Sequence, residues 1–130
     1  MEFKSSFKIY YEDTDSGGVV YYANYLKFFE RARTDAITSL GFSNNKLVEK
    51  FGIYIVVKSC NLNFLKPAKL EDKLNIISNV LEVKNVSIKM RQNIFVNESM
   101  IVEAEILLAS INKVGKPSKL PDEFKNQLIK

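Results

Sequence analysis

The sequence predicts an α+β fold in which one long helix packs across an antiparallel sheet of five strands. Three observations carry that expectation. Apolar and polar side chains alternate over residues 3–11, apolar positions recur at three- and four-residue steps from Asn24 to Leu40, and four more strand-like runs follow Gly52 without interruption. A helix and a sheet that are each apolar on one face bury both faces by packing together. With 130 residues, 46% of them hydrophobic, residues 1–130 are expected to form a single domain with a real core.

The first strand places Phe3, Phe7, Ile9 and Tyr11 on one face and Lys4, Ser6, Lys8 and Tyr10 on the other. The stretch Asp13-Thr14-Asp15-Ser16-Gly17-Gly18 is dense in turn formers and predicts a tight loop. In the long helix Tyr25, Leu26, Phe29, Ala32, Ala36, Ile37 and Leu40 form the apolar stripe. Asn24 is its expected N-cap, and Gly41 the left-handed residue that ends it. A shorter helix is expected over 45–51.

The later strands are expected at 53–65, 73–83, 86–96 and 99–112, with Pro67 marking the break between the first two. Lys84-Asn85 and Asn97-Glu98 read as two-residue connections in which asparagine takes positive φ, so the last three strands form consecutive antiparallel hairpins. Pro121, Asp122 and Glu123, with Phe124 and Leu128 four apart, open a short terminal helix. Five strands leave free edges, so a dimer with a sheet continued across it is expected.

Composition narrows the chemistry. Histidine is absent and Cys60 is the only cysteine, which excludes Ser-His and Cys-His pairs, an intrachain disulfide and a His- or Cys-rich metal site. Catalysis, if there is any, rests on carboxylates, hydroxyls, lysines or backbone N–H groups. The net charge of +4 suits an anionic partner: a nucleotide-bearing substrate, an acidic carrier protein or a nucleic acid. Charged residues at positions 2, 4 and 8 leave no apolar signal core, and no run of about 18 apolar residues occurs, so no membrane span is expected and a cytoplasmic location is.

The densest signal is Tyr10 to Arg33, YYEDTDSGGVVYYANYLKFFERAR, where an acidic glycine-rich loop runs through aromatics into the helix. By spacing alone Asp15 reads as a turn residue that bonds its own backbone. The larger pattern changes that reading. Asp13-x-Asp15, Gly18-Val19-Val20-Tyr21, Asn24-Tyr25 and Glu30-x-Ala32-Arg33, continued by Phe64-x-x-Pro67-Ala68 and Glu71-Asp72-x-Leu74, resemble the 4-hydroxybenzoyl-CoA thioesterase family. The likeness is strongest to its Tol-Pal-associated branch of small acyl-CoA thioesterases.

The resemblance implies the hotdog fold, with the sheet wrapped around the long helix, and hydrolysis of a small short-chain or aromatic acyl-CoA without cofactor or metal. Asp15 stands where that family has its catalytic carboxylate, as nucleophile or as general base for water. Asp13 is read as organising the loop. Gly18, Val19, Asn24 and Tyr25, with Tyr54, Ile55 and Val56 from a later strand, are implied to line the substrate, and backbone N–H groups around Tyr22 to hold the oxyanion. Tyr22 replaces the histidine usual in the branch. Its phenol is a poor base at neutral pH, and it either donates a hydrogen bond, shapes the acyl pocket or packs at an interface. The resemblance further implies a homotetramer built as a dimer of dimers, with acidic acyl carrier protein as a candidate partner.

A non-catalytic module that binds acyl-CoA or acyl carrier protein is the alternative; nucleic-acid binding is disfavoured because the tyrosines fall inside the thioesterase pattern. Lys84, Lys89, Arg91, Lys113 and Lys116 are read as surface charges before CoA-phosphate ligands. Cys60 is expected as a packing residue, and Glu30–Arg33 and Arg31–Asp35 as pairs within the helix.

Overall fold

The computed structural model describes residues 1–130. In chain order it comprises β1 (Glu2–Lys8), α1 (Asn24–Ser39), α2 (Asn44–Phe51), β2 (Tyr54–Phe64), β3 (Lys73–Val83), β4 (Ser87–Val96), β5 (Ser99–Ile111) and α3 (Asp122–Leu128). The five strands form one sheet in the order β1-β3-β4-β5-β2, antiparallel at every junction. This is the α+β arrangement that the apolar patterning predicts.

The helix lies across one face of the sheet because that face is apolar along every central strand. Leu74 and Ile76 on β3, Ile88, Met90 and Ile94 on β4, and Ala104, Ile106 and Leu108 on β5 are buried beneath Tyr25, Phe28, Phe29 and Ala32 of α1. Burial of each phenylalanine contributes about 1.5–3 kcal/mol. Phe28 also meets Phe7 of β1, with ring centroids 5.8 Å apart. At the far end, α3 closes the cluster through Phe124 and Leu128.

Within this apolar layer sits one polar network. The side chain of Gln92, fully buried, donates from Nε2 to the Phe29 carbonyl at 3.1 Å and to Ser78 Oγ at 2.9 Å, while its Oε1 accepts from Arg33 Nη1 at 3.0 Å. Burial pulls the Arg33 guanidinium below its ordinary value, opposed by the nearby Glu30 and Cys60. Every polar atom of the glutamine amide is thereby satisfied, and α1 is tied to β3 and β4.

Several expectations are corrected. The first strand ends at Lys8, and residues Tyr11–Asp13 form a 3₁₀ turn that leaves Tyr11 81% exposed, so Tyr11 does not continue the inward face. The β3–β4 connection takes three residues, 84–86, and Asn85 keeps negative φ, whereas Asn97 does turn at φ 55°. Glu30 accepts from Thr34 Oγ1 at 2.7 Å and Arg33 goes to Gln92, so the first helix pair does not form; Arg31 lies over the Phe28 ring instead of pairing with Asp35.

Cys60 is exposed. The reason lies in β2, the edge strand beside β5. A bulge between Val57 and Ser59 inserts Lys58 and reverses the alternation. Before it, Tyr54 and Val56 pair with Ile111 and Ala109; after it, Cys60, Leu62 and Phe64 pair with the buried Ile106, Ala104 and Val102. Cys60 thus points to the helix side, but at an edge where nothing covers it.

Candidate active site

The loop from Thr14 to Val20 folds as a tight reverse turn. Asp15 N–H donates to the Val19 carbonyl at 2.9 Å and Gly18 N–H to the Asp15 carbonyl at 3.1 Å. Gly18 has φ 79°, a left-handed conformation costly to residues with a Cβ. The turn is fastened from outside, where Val20 N–H donates to the Ala68 carbonyl at 2.8 Å and Val19 bridges to Lys69.

The two aspartates face opposite ways. Asp13 is buried, its Oδ2 accepting from Tyr10 N–H at 2.9 Å and its main-chain oxygen from Tyr21 N–H and Asn24 Nδ2, each at 3.0 Å. Asp15 is exposed; its Oδ1 accepts from Gly17 N–H at 2.8 Å, and its Oδ2 has no partner in the protomer. One carboxylate organises the loop while the other is held by a single oxygen and presented to solvent.

The start of α1 carries no side-chain cap. Asn24, the expected N-cap, is instead the first helical residue, and its side chain reaches back to Asp13; Ala23 precedes it in helical conformation. The N–H groups of Asn24, Tyr25 and Leu26 close turns onto the carbonyls of Tyr21, Tyr22 and Ala23. Those of Tyr22 and Ala23 donate to nothing in the protomer. Two free donors at the positive end of a helix form a place where negative charge is stabilised.

Aromatic side chains wall this end. Tyr22 is 61% exposed, with ring centroids 5.0 Å from Tyr21 and 6.0 Å from Phe64. Tyr25 lies beneath, 5.8 Å from Phe64, and its hydroxyl accepts from Ala68 N–H at 3.1 Å. Burial raises the Tyr25 phenol above its ordinary value; the Ala68 N–H opposes this and the charge of Asp72 adds to it.

Asp15, Gly18, Val19, Tyr22, Asn24 and Tyr25 therefore gather on one loop and helix start. Tyr54, Ile55 and Val56 do not join them within one protomer: they begin β2, while Phe64, the residue touching Tyr22, ends it, about 30 Å along an extended strand. Strand alternation also splits the three, with Tyr54 and Val56 on the outer face and Ile55 packed against the core. Three contributors went unassigned from sequence: Gly17 and Ala23, which act through backbone N–H groups, and Phe64, whose place in the Phe64-x-x-Pro67-Ala68 pattern was the available signal.

The chain is similar to known proteins in both sequence and fold. Residues 17–103 match the family model of the thioesterase superfamily. The chain is 41% identical to the acyl-CoA thioesterase YbgC of Haemophilus influenzae over 91% of this chain and 88% of that protein. It is 34% identical to the YbgC of Helicobacter pylori over 93% and 96% of the two chains. A probable thioesterase from Bartonella henselae superposes with a TM-score of 0.90 at 35% identity, covering 93% of this chain and all of that one. A family pattern across the loop, helix and central strands, together with relatives of this identity over nearly their full length, leaves one assignment: the chain belongs to the thioesterase superfamily.

Proposed function

We propose that this chain is an acyl-CoA thioesterase that hydrolyses a small short-chain or aromatic acyl-CoA through the Asp15 carboxylate. The observation that carries the reading is the pairing of an exposed carboxylate, pinned at Oδ1 and free at Oδ2, with two unused N–H groups at the adjacent start of α1. In the attack on the thioester carbonyl carbon, Oδ2 either bonds to that carbon itself or removes a proton from the water that does. The carbonyl oxygen gains negative charge and is held by the N–H groups of Tyr22 and Ala23. Collapse breaks the C–S bond and the CoA thiolate takes up a proton. In the general-base route this frees the acid with the oxygen of the attacking water; in the nucleophilic route it leaves an acyl–Asp15 anhydride whose bond water then cleaves, releasing the acid and restoring the carboxylate. Tyr22 lines the acyl side of this space with Phe64.

The site is completed by a second copy. Antiparallel pairing of β2 with its own copy about the strand centre sets the Tyr54–Val56 end of one subunit beside the Phe64 end of the other, and continues the sheet. The exposed Val56 and Val57 on this edge support such pairing, and two dimers make the proposed tetramer. No helix is long and apolar enough to cross a membrane. A cytoplasmic setting suits the one exposed thiol and a CoA-linked substrate. Acyl carrier protein, being acidic, is a proposed partner for a chain of charge +4.

Thiol release from a panel of short, aromatic and long acyl-CoAs by the wild type and Asp15→Asn tests the reading. Wild-type turnover of one class with a loss of about a thousandfold or more in the variant is expected of a group that acts on the reacting atoms. Absence of turnover on the whole panel favours the non-catalytic binding module.

A further inference from the structure

Gly17 and Gly18 are adjacent, yet the structure gives them different reasons to be glycine. Gly18 sits at φ 79° and a Cβ built on it meets nothing within 4 Å, so its constraint is the backbone turn. Gly17 has no left-handed φ, so the strain that reserves position 18 for glycine does not act on it. A Cβ built on Gly17 instead falls 3.2 Å from Asp15 Oδ1, closer than nearly all such contacts, and that same oxygen accepts the Gly17 N–H at 2.8 Å. The residue is constrained by the carboxylate and by little else.

We propose that Gly17 is a positioning residue for the hydrolysis: its N–H fixes Oδ1, and its missing Cβ leaves the carboxylate room to present Oδ2 toward the start of α1. The inference rests on Asp15 as the working carboxylate. Alanine at position 17 keeps the N–H and the backbone but displaces the carboxylate by a few tenths of an ångström. Misplacement on that scale affects the reacting geometry and leaves substrate binding and folding untouched.

Gly17→Ala, Gly18→Ala and Asp15→Asn are compared in thiol release and thermal melting. For Gly17→Ala, kcat falls about tenfold or more while KM stays within about twofold, and Tm stays within about 2 °C of the wild type. Gly18→Ala lowers Tm by several degrees. Wild-type kcat in Gly17→Ala, or a Tm loss as large as that of Gly18→Ala, overturns the inference provided Asp15→Asn is impaired. An unimpaired Asp15→Asn overturns the reading of the site itself. A second measurement needs no turnover: the amide proton of residue 17 responds to protonation of the Asp15 carboxyl in the wild type and responds measurably less in Gly17→Ala. A wild-type amide that ignores the titration overturns the positioning role whether or not any thioester is cleaved.

Discussion

The two ends of α1 are finished in opposite ways. At its C-terminus Gly41, at φ 85°, donates its N–H to the Thr38 carbonyl at 3.0 Å and Phe42 donates to Ile37 at 3.3 Å, the two bonds of a Schellman motif. Phe42 then packs on Phe124, with ring centroids 5.1 Å apart. At its N-terminus no side chain caps the helix, two N–H groups are unused, and the neighbouring aromatics Tyr21 and Tyr22 stand open to solvent. One end is closed for stability; the other is left unsatisfied where an anionic intermediate can satisfy it.

The contrast is broken most sharply by placing a fixed negative charge at the open end. Ala23→Asp is expected to lower kcat about 100-fold, comparable to losing an oxyanion donor, because the aspartate occupies the positive end of the helix. The same charge leaves stability unchanged or raises it by up to about 1 kcal/mol through the helix dipole. Steady-state kinetics and chemical denaturation on one preparation check both halves, and equal losses in both refute the assignment of this end to catalysis.

Tyr25→Phe tests the support beneath the open end. It removes the acceptor of the buried Ala68 N–H and is expected to cost about 2 kcal/mol, read by urea denaturation. It also carries a pH signature. The folded-state phenol is raised above its ordinary value of about 10, so its contribution is fully present below that pH and lost as pH rises toward the folded value. Wild-type stability relative to Tyr25→Phe should therefore shrink above about pH 10. A constant difference across that range refutes the linkage.

The smallest effect belongs to the closed end. Gly41→Ala places a Cβ in left-handed conformation and is expected to lower stability by about 1 kcal/mol, with thiol release per folded molecule unchanged. A loss of kcat there removes the distinction between the two ends.

Periodicity in the sequence made most of the fold legible. Alternation located every strand within a few residues, and the apolar spacing located α1 because its stripe faces a single sheet. Alternation cannot register an inserted residue, so the bulge at Lys58 went unseen; nor does it tell an edge strand from a covered one, so Cys60 was expected to pack where the edge leaves it exposed. The Arg33–Gln92 bond joins residues 59 positions apart, and no local pairing rule reaches that far. In the site, side chains with chemistry and the backbone donors around Tyr22 were readable through the family motif, whereas the backbone donor of Gly17 has no signature of residue type. Tyr54–Val56 join the site only in the proposed pairing of two copies, which a single chain does not display.

The open edge at β2 also makes the protein easy to follow in solution. Because β2 is an edge strand, the only sulfhydryl in the chain, Cys60, is accessible to a maleimide dye in the separated protomer, giving one fluorophore per polypeptide without mutagenesis. That dye would sit near the middle of the strand expected to pair with its copy. Energy transfer between donor- and acceptor-labelled batches could then time subunit exchange, and a label that blocks assembly would separate monomer from dimer without altering the sequence.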